Sequence, residues 1–411
     1  MPINVYAAVG PFVLAAIVIE FIYCLVKKNG YYSFQDSIIG LGTMIFSQCI
    51  NLAIASVILT TYGWIYNHYA LFHFELTWLH LVLGYILSDF LFYWFHRAGH
   101  RINFFWGAHA GHHSAEELNY AVALRTTIFQ RAASFLFYWP MAVFGFSPEL
   151  ILTIVAINLV FQFLPHTRVI PKLPSWIDFW LNTPYHHQVH HAANPIYWDK
   201  NYGGTLIIWD RMFGTYTDQT EEPYYGITIH PKTWDPTYIN FHWYTVLWKD
   251  MVLANNMVDK YKLWFMPPGW RPRNLGPYEK DQVNRTAENQ VKFATEAHPG
   301  INPYLIAQLF FAFPLVLFVT NRNTPLDGWE QFGYSFLLWT QVTLWGALLE
   351  NKKWAVIGEG LRILITGASL VFTFQKYNIS PTWTYAVIAV SGIYFAWLNI
   401  IKIQAPKTLR A

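Results

Sequence analysis

Three short stretches, "HRAGH", "HAGHH" and "HQVHH", bring His96 and His100, then His109, His112 and His113, then His187, His190 and His191 into view as possible metal ligands. The last two stretches repeat the pattern HxxHH, 78 residues apart. Neutral imidazole is a nitrogen donor suited to iron, zinc, copper or nickel. A single metal has no use for eight such donors, so the count points to a two-metal site with about four or five nitrogens per ion. The zinc-protease pattern HExxH is absent. Without metal, rings crowded in this way have to stay neutral and find a partner for each nitrogen.

Neighbouring polar residues extend the set. His96 and His100 share one helical face, and Asp89 and Tyr93 fall on the same face one and two turns earlier. A buried Asp89 is expected to orient a ligand histidine through its free ring nitrogen. Asn158, Gln162 and His166 recur every four residues along an otherwise apolar run. Polar groups so placed face a protein interior or cavity, which makes His166 a further candidate ligand and Asn158 and Gln162 its support. His186 adjoins the third stretch without sharing its spacing and is read as support. His68, His73, His80, His230 and His242 read as ordinary surface or packed histidines. His298 opens an "HPG" with no haem-binding domain around it.

The elements that must position these residues are those of a membrane protein. Hydrophobic residues make up 54% of the 411-residue chain and charged residues 12%, about half the charged share of a soluble domain. A net charge of +3, spread thinly, excludes nucleic-acid binding, which wants a basic patch or stripe. The two cysteines, Cys24 and Cys49, sit in apolar runs and form neither a disulfide framework nor a CxxC pair.

Runs of about twenty apolar residues, enough to cross the hydrocarbon layer, fall at 5–26, 37–61, 74–96, 127–146, 148–165, 303–320, 330–349, 354–374 and 382–402. The expected fold is therefore all-α and integral to the membrane, with about nine spans. The first run has no basic segment before it and no clear cleavage site, and is expected to stay as a span. Lys and Arg near span ends favour the cytoplasmic side. Lys27, Lys28, Arg97, Arg101, Arg125, Arg168, Lys352, Lys353, Lys402, Lys407 and Arg410 then fall inside, and only Arg322 and Lys376 outside.

That orientation puts residues 166–300 on the cytoplasmic side as a compact histidine-bearing cap, whose polar tail, 276–300, reads as a loop plus one helix. The domain division that follows is 1–300, membrane and catalytic, and 301–411, a four-helix transmembrane bundle. Inside that bundle Glu359 and Arg362, three residues apart, are expected to pair and so lower the cost of burial.

With "FHRAGH", "HAGHHSAEELNYAVALR", "FQFLPHT" and "LNTPYHHQVHHAANPIYWDKNYGGTLIIWDRMFGTY" in place, the chain resembles the fatty acid hydroxylase/sterol desaturase superfamily of membrane di-iron enzymes. Its closest likeness is to the ether-lipid-cleaving branch, the alkylglycerol monooxygenases. The resemblance implies metal-ligand roles for the eight histidines of the three stretches, with His166 matching a further histidine of the superfamily. It also implies a signature through Asp199, Asn201, Tyr202, Gly203, Trp209, Asp210 and Gly214, which packs and closes the site. Two iron ions are implied, with tetrahydrobiopterin or another external reductant as electron donor. One departure stands out: Arg101 occupies a position where the branch carries an acidic residue.

The implied reaction is a dioxygen-dependent monooxygenation of a lipid C–H bond, at the carbon beside the ether oxygen of an alkylglycerol, releasing a fatty aldehyde and a glycerol derivative. The partners are the lipid, dioxygen, an external electron donor and the bilayer of a bacterial inner membrane or an endoplasmic reticulum. A sterol, fatty acid or other lipid hydroxylase or desaturase with the same centre is the alternative within enzymes. A metal-binding transporter is the alternative outside them, although this sequence shows none of the internal repeats such proteins often carry.

Overall fold

A computed structural model describes residues 5–278, 286–321 and 323–401, so Arg322, Lys402, Lys407 and Arg410 lie outside the described residues. Among the described residues the chain is helical, and its extended pairing is limited to two isolated bridges, Leu181 with Leu206 and Ala192 with Tyr225. The helices are α1 (Val5–Lys27), α2 (Phe34–Tyr69), α3 (Trp78–Arg101), α4 (Asn103–His113), α5 (Tyr120–Ala123), α6 (Ile128–Phe144), α7 (Pro148–Phe163), α8 (Ser175–Asp178), α9 (Pro184–His191) and α10 (Ile208–Phe213). They are followed by α11 (Pro236–Leu253), α12 (Met257–Lys262), α13 (Ile301–Thr320), α14 (Gly328–Leu349), α15 (Lys353–Lys376) and α16 (Pro381–Ile400).

Each of the nine expected apolar runs is a helix, but length and composition separate them. Five helices among the described residues, α1, α3, α13, α15 and α16, are long and apolar enough to cross a membrane, and α2 adds a sixth if its two halves count as one span. The sequence-based expectation of nine is thus larger than the structure supports on this criterion. Helices α6 and α7 have 17 and 16 residues, about 25 Å of rise against roughly 30 Å of hydrocarbon. Helix α14 has the length and dilutes it with Glu330, Gln331, Thr340, Gln341 and Thr343.

Local signals explain where the helices start. Thr77 and Ser147 accept the His80 and Leu150 amides at the heads of α3 and α7, and Pro148 supplies the pre-set first residue of α7. Asp327 and Glu330 form a reciprocal capping box on α14.

Two compact units result, and they do not follow a single cut in the chain. One comprises Met1–Ser33, Ala53–Pro231 and Asn240–Lys292; the other comprises Phe34–Leu52, Lys232–Ile239 and Phe293–Ala411. In the first, α3 packs on α4, α6 and α7 through a core that includes Phe92, Phe95, Met141, Phe146, Ile151 and Ile154. In the second, α13 to α16 bury Tyr304, Leu338, Val342, Trp345 and Leu348.

The expected helix in the tail 276–300 is absent among its described residues. Residues 286–292 instead run without regular structure, tied down where Gln290 donates to the Tyr225 carbonyl and Lys292 pairs with Glu117 at 2.6 Å.

Candidate metal centre

Four elements of the first unit deliver the histidines: the end of α3, the whole of α4, the turn after α7, and α9. A single residue, Ile102, separates α4 from the end of α3. Its first turn is held by the Asn103 side chain, which donates to the Leu263 carbonyl and accepts from Trp243 Nε1. The rings, buried except for the half-buried His100, converge in two groups. His96, His100, His109, His113 and His190 form one, and His112, His166 and His191 form the other, each with its candidate ligand atoms within 4.8 Å of one another. His187 adjoins the second group, its Nε2 lying 3.0 Å from His166 Nε2.

This partition was not readable from the boxes as blocks. In α4 the i, i+4 pair His109 and His113 goes to the first group and His112 to the second. In α9 the i, i+4 pair His187 and His191 lies at the second group, while His190 turns to the first. Residues four apart on a helix share a face, whereas their neighbour within the box points about 100° away. Each HxxHH therefore serves both groups.

Hydrogen bonds fix which nitrogen of several rings is free. Nδ1 of His96, His112, His166 and His190 lies 2.7–3.0 Å from the carbonyl oxygens of Tyr202, Arg125, Gln162 and Lys200 respectively. A carbonyl only accepts, so in each neutral ring Nδ1 carries the proton and Nε2 is left as a lone pair. Nε2 of His112 and His166 then face each other at 3.2 Å as two lone pairs. Nε2 atoms of His100, His190 and His191 are buried and have no hydrogen-bond partner among the described residues.

Such an arrangement is repulsive unless a cation lies between the nitrogens. Two nitrogens each about 2.1 Å from one ion, at bond angles of about 90–110°, are about 3.0–3.4 Å apart. Separations of 3.0 Å for His96–His109 and His109–His113, and 3.0–3.2 Å among His112, His166 and His187, match that range. The donor set fits a transition-metal centre.

Electrostatics agree. Burial pushes His112 down to about 4 and His190 down to about 3, despite the carbonyl bonds that favour their charged forms. His109, His113, His166, His187 and His191 are held well below the ordinary value near 6.5, first by burial and then chiefly by neighbouring histidines. The rings are therefore neutral and available as ligands at physiological pH.

Asp89 does something other than the sequence suggested. Its fully buried carboxylate touches no histidine. It accepts from the amides of Thr205 and Leu206, from Trp209 Nε1 and from Asn158 Nδ2, all at 2.7–3.0 Å. Gln162 Nε2 in turn donates to Asn158 Oδ1, so the polar stripe on α7 supports the Asp89 carboxylate. His166 is held by the backbone of that stripe. Asp89 acts on the centre through the loop it holds, because the Tyr202 carbonyl of the same loop orients His96.

That loop is the signature stretch. Asp210 accepts from the amides of Tyr202 and Gly203 and from Thr215 Oγ1, and burial raises it to about 6. Asn201, in the left-handed region at φ 55°, donates to the His186 and Thr217 carbonyls. A Cβ on Gly203 would lie 2.5 Å from the Leu206 carbonyl oxygen, and one on Gly204 2.8 Å from Asp89 Oδ1, so close approach demands glycine at both. His186 stands apart from both groups, its Nε2 3.2 Å from Asp178 Oδ2. Arg101 points outward and pairs with Asp199 at 2.5 Å.

Sequence reasoning missed several contributors. The carbonyls of Arg125 and Lys200 leave no trace in residue type, since any residue supplies a carbonyl. Gln130, 3.4 Å from His109 Nδ1, was visible only as one polar residue on an apolar helix. Glu20 on α1 accepts from Tyr32, from the Tyr120 amide and from Thr167, the residue after His166.

Comparison with known proteins adds an independent line. A family model described as fatty acid hydroxylase matches residues 81–215, the interval that carries every residue of both histidine groups. An alkylglycerol monooxygenase of Xenopus tropicalis is 36% identical over 375 residues, covering 89% of this chain and 81% of the relative. The human alkylglycerol monooxygenase is 31% identical over 86% of this chain and 80% of its own length. An ornithine lipid hydroxylase of Rhizobium tropici is 30% identical over 33% of this chain and 41% of its own. No solved structure matches.

Proposed function

The chain belongs to the fatty acid hydroxylase family, among the alkylglycerol monooxygenases, and on that premise we propose that it is a di-iron lipid monooxygenase acting on the ether bond of alkylglycerols. One iron would be held by His96, His100, His109, His113 and His190, the other by His112, His166, His187 and His191. Iron supplies the activation of dioxygen, which side chains cannot perform themselves.

The balance of the reaction is simple. One oxygen atom of O2 enters the C–H bond beside the ether oxygen, and the other leaves as water with two electrons and two protons from an external donor. The hemiacetal so formed breaks its C–O bond to give a fatty aldehyde and a free glycerol hydroxyl. Tetrahydrobiopterin, or another small reductant, is the proposed donor.

The chain's own residues keep the site dry and rigid. Burial of the histidines excludes water from the centre. The carbonyls of Tyr202, Arg125, Gln162 and Lys200 hold four rings in the tautomer that presents Nε2. Asp89 and Asp210 fix the loop that carries two of those carbonyls, or adjoins them. Spans α1, α3, α13, α15 and α16 seat the catalytic part, residues 1–300, and the helical bundle 301–411 in the bilayer, with the histidine cap on the cytoplasmic side.

One observation carries this reading: His112 and His166 turn facing lone pairs on each other at 3.2 Å within a cluster of neutral, buried rings. The test is metal content of the detergent-purified protein together with aerobic turnover of an alkylglycerol, with tetrahydropterin supplied or withheld. Stoichiometric iron with pterin-dependent aldehyde release is expected. Iron without aldehyde would favour another lipid, for which the similarity to an ornithine lipid hydroxylase names the first substrate class to try. Folded protein without transition metal would overturn the proposal.

A further inference from the structure

The cap carries a surface that does not suit water. Along α11 the outward stripe Phe241, Trp248 and Val252 is exposed, the last two at 59% each. Val258, Tyr261 and Phe265 continue it through α12 and beyond, at 71%, 67% and 72%. The opposite face is already packed into the protein: Trp243, Leu247 and Leu263 pack with Ala110 and Ile227 in one core cluster, and Asn240 and Asp250 are buried on the same side. A helix whose inner face is packed and whose outer stripe is apolar lies against either protein or lipid. Yet α11 is not among the helices that qualify as spans.

Backbone hydrogen bonds to the end of α3 say where this surface lies. Helix α3, which qualifies as a span, ends at Arg101. Two residues later the Asn103 amide donates to the Met266 carbonyl and the Phe104 amide to the Trp264 carbonyl, each at 2.9 Å. The segment 263–266 is thus fastened to the end of a span, where hydrocarbon gives way to headgroups. Lys249 and Lys262 are exposed beside the apolar stripe, and Trp and Tyr with flanking Lys form the composition that settles at that boundary.

We infer that α11, α12 and the turn through Phe265 form an in-plane membrane element, embedded in the headgroup and acyl boundary of the leaflet in which α3 ends. Its occupant is lipid, with Lys249 and Lys262 meeting anionic headgroups. The inference rests on the reading that α3 crosses a bilayer. Its consequence is positional. The element's inner face packs on α4 at Ala110, between the metal-site histidines His109 and His112, so seating it sets the depth of the centre relative to acyl chains in that leaflet.

The test uses the full-length protein in nanodiscs containing phosphatidylglycerol. In a C24A/C49A background, nitroxide is attached at V258C or Y261C, with L83C on the exposed face of α3 as bilayer reference and E288C as aqueous reference. Collision with O2, which concentrates in lipid, is compared with collision with a water-soluble nickel chelate. Loss of nickel access with high O2 access at V258C and Y261C, as at L83C, is expected. Nickel access equal to that at E288C would overturn the inference while L83C still reports lipid. Protection from both probes would overturn it in favour of a covering protein surface. Nickel access at L83C itself would instead remove the spanning reading of α3 on which the inference stands.

Discussion

The Nη1 of Arg101 and the Oδ2 of Asp199 lie 2.5 Å apart, joining the end of α3 to the turn after the third histidine box, with side chains 50% and 36% exposed. The positive charge beside the first box is thereby neutralised by Asp199 and directed away from the rings. An ion pair this exposed contributes about 0–1 kcal/mol. R101A is therefore expected to lower the melting temperature by about 2 °C or less and to leave iron content and turnover unchanged. A large loss of iron in R101A would show that the charge reaches the centre after all.

The two histidine groups predict separable metal losses. His100 and His191 each present a buried Nε2 with no other partner among the described residues, one in each group. H100A and H191A are each expected to lower bound iron by about half, and the double variant to leave almost none. Elemental analysis of the purified variants measures this directly. If either substitution alone emptied the protein of iron, the groups would constitute one inseparable site.

Asp89 is predicted to be indispensable to folding rather than to chemistry. Replacing it by Ala strands the Thr205 and Leu206 amides and Trp209 Nε1 and takes from Asn158 Nδ2 one of its two acceptors, the other being Thr205 Oγ1, and each orphaned donor costs about 1–3 kcal/mol. The total rivals the whole stability of a typical domain, about 5–15 kcal/mol. D89A is expected to be aggregated on size exclusion. D89N, which retains the shape and one acceptor, is expected to stay monodisperse with a lower melting temperature and reduced iron. Wild-type behaviour of D89A would remove the loop-holding role.

The metal-free protein should be acid-labile. Burial lowers His112 to about 4 and His190 to about 3 from an ordinary value near 6.5. Between those limits the unfolded chain binds more protons than the folded one, so stability rises with pH through this window and is lost as pH falls below about 6.5. Once pH is below its folded value, such a ring costs on the order of 3–5 kcal/mol. Thermal unfolding of chelator-treated protein at pH 7.5, 6, 5 and 4 is expected to show a steep decline. A flat profile would mean that the rings are charged or exposed in the apoprotein.

In the C-terminal bundle the sequence-based expectation of an ion pair holds. Arg362 donates to Glu359 through Nε and Nη2 at 2.7 and 2.6 Å, Tyr304 donates to the same carboxylate, and Gln308 accepts from Arg362. Removing one partner of a buried pair costs about 3–5 kcal/mol, while replacing both by apolar residues is often near neutral. E359L is therefore expected to unfold at a clearly lower temperature than the double variant E359L/R362M, with turnover per folded molecule unchanged in the double. A double variant that folds but no longer turns over would assign the pair a role in the reaction path.

Much of the fold and of the centre was legible because local chemistry writes itself into composition and spacing. Nine apolar runs became nine helices. The histidine boxes stood out because imidazole has no packing reason to recur at HxxHH, and His166 because polar residues every four positions mark one face of an apolar helix. Less legible was how many helices qualify as spans, since α6, α7 and α14 differ from the others only by a few residues or a few polar side chains. Asp89 is legible from the helical face it shares with His96 and His100, but its partners are not, because a carboxylate's sequence neighbours do not reveal which distant amides it accepts from.

By itself, then, the sequence determined the candidate donors, a set of histidines, and the apolar frame that carries them, each set by residue type and helical period. Only the tertiary structure decided how those donors divide. Whether His112 joins His109 or His166 depends on a rotation of about 100° per residue along α4 and on where α7 and α9 come to rest against it. The same packing brings the carbonyls of Tyr202, Arg125, Gln162 and Lys200 to the outer ring nitrogens. Those groups occur in every residue, so nothing in a sequence singles them out until folding places them.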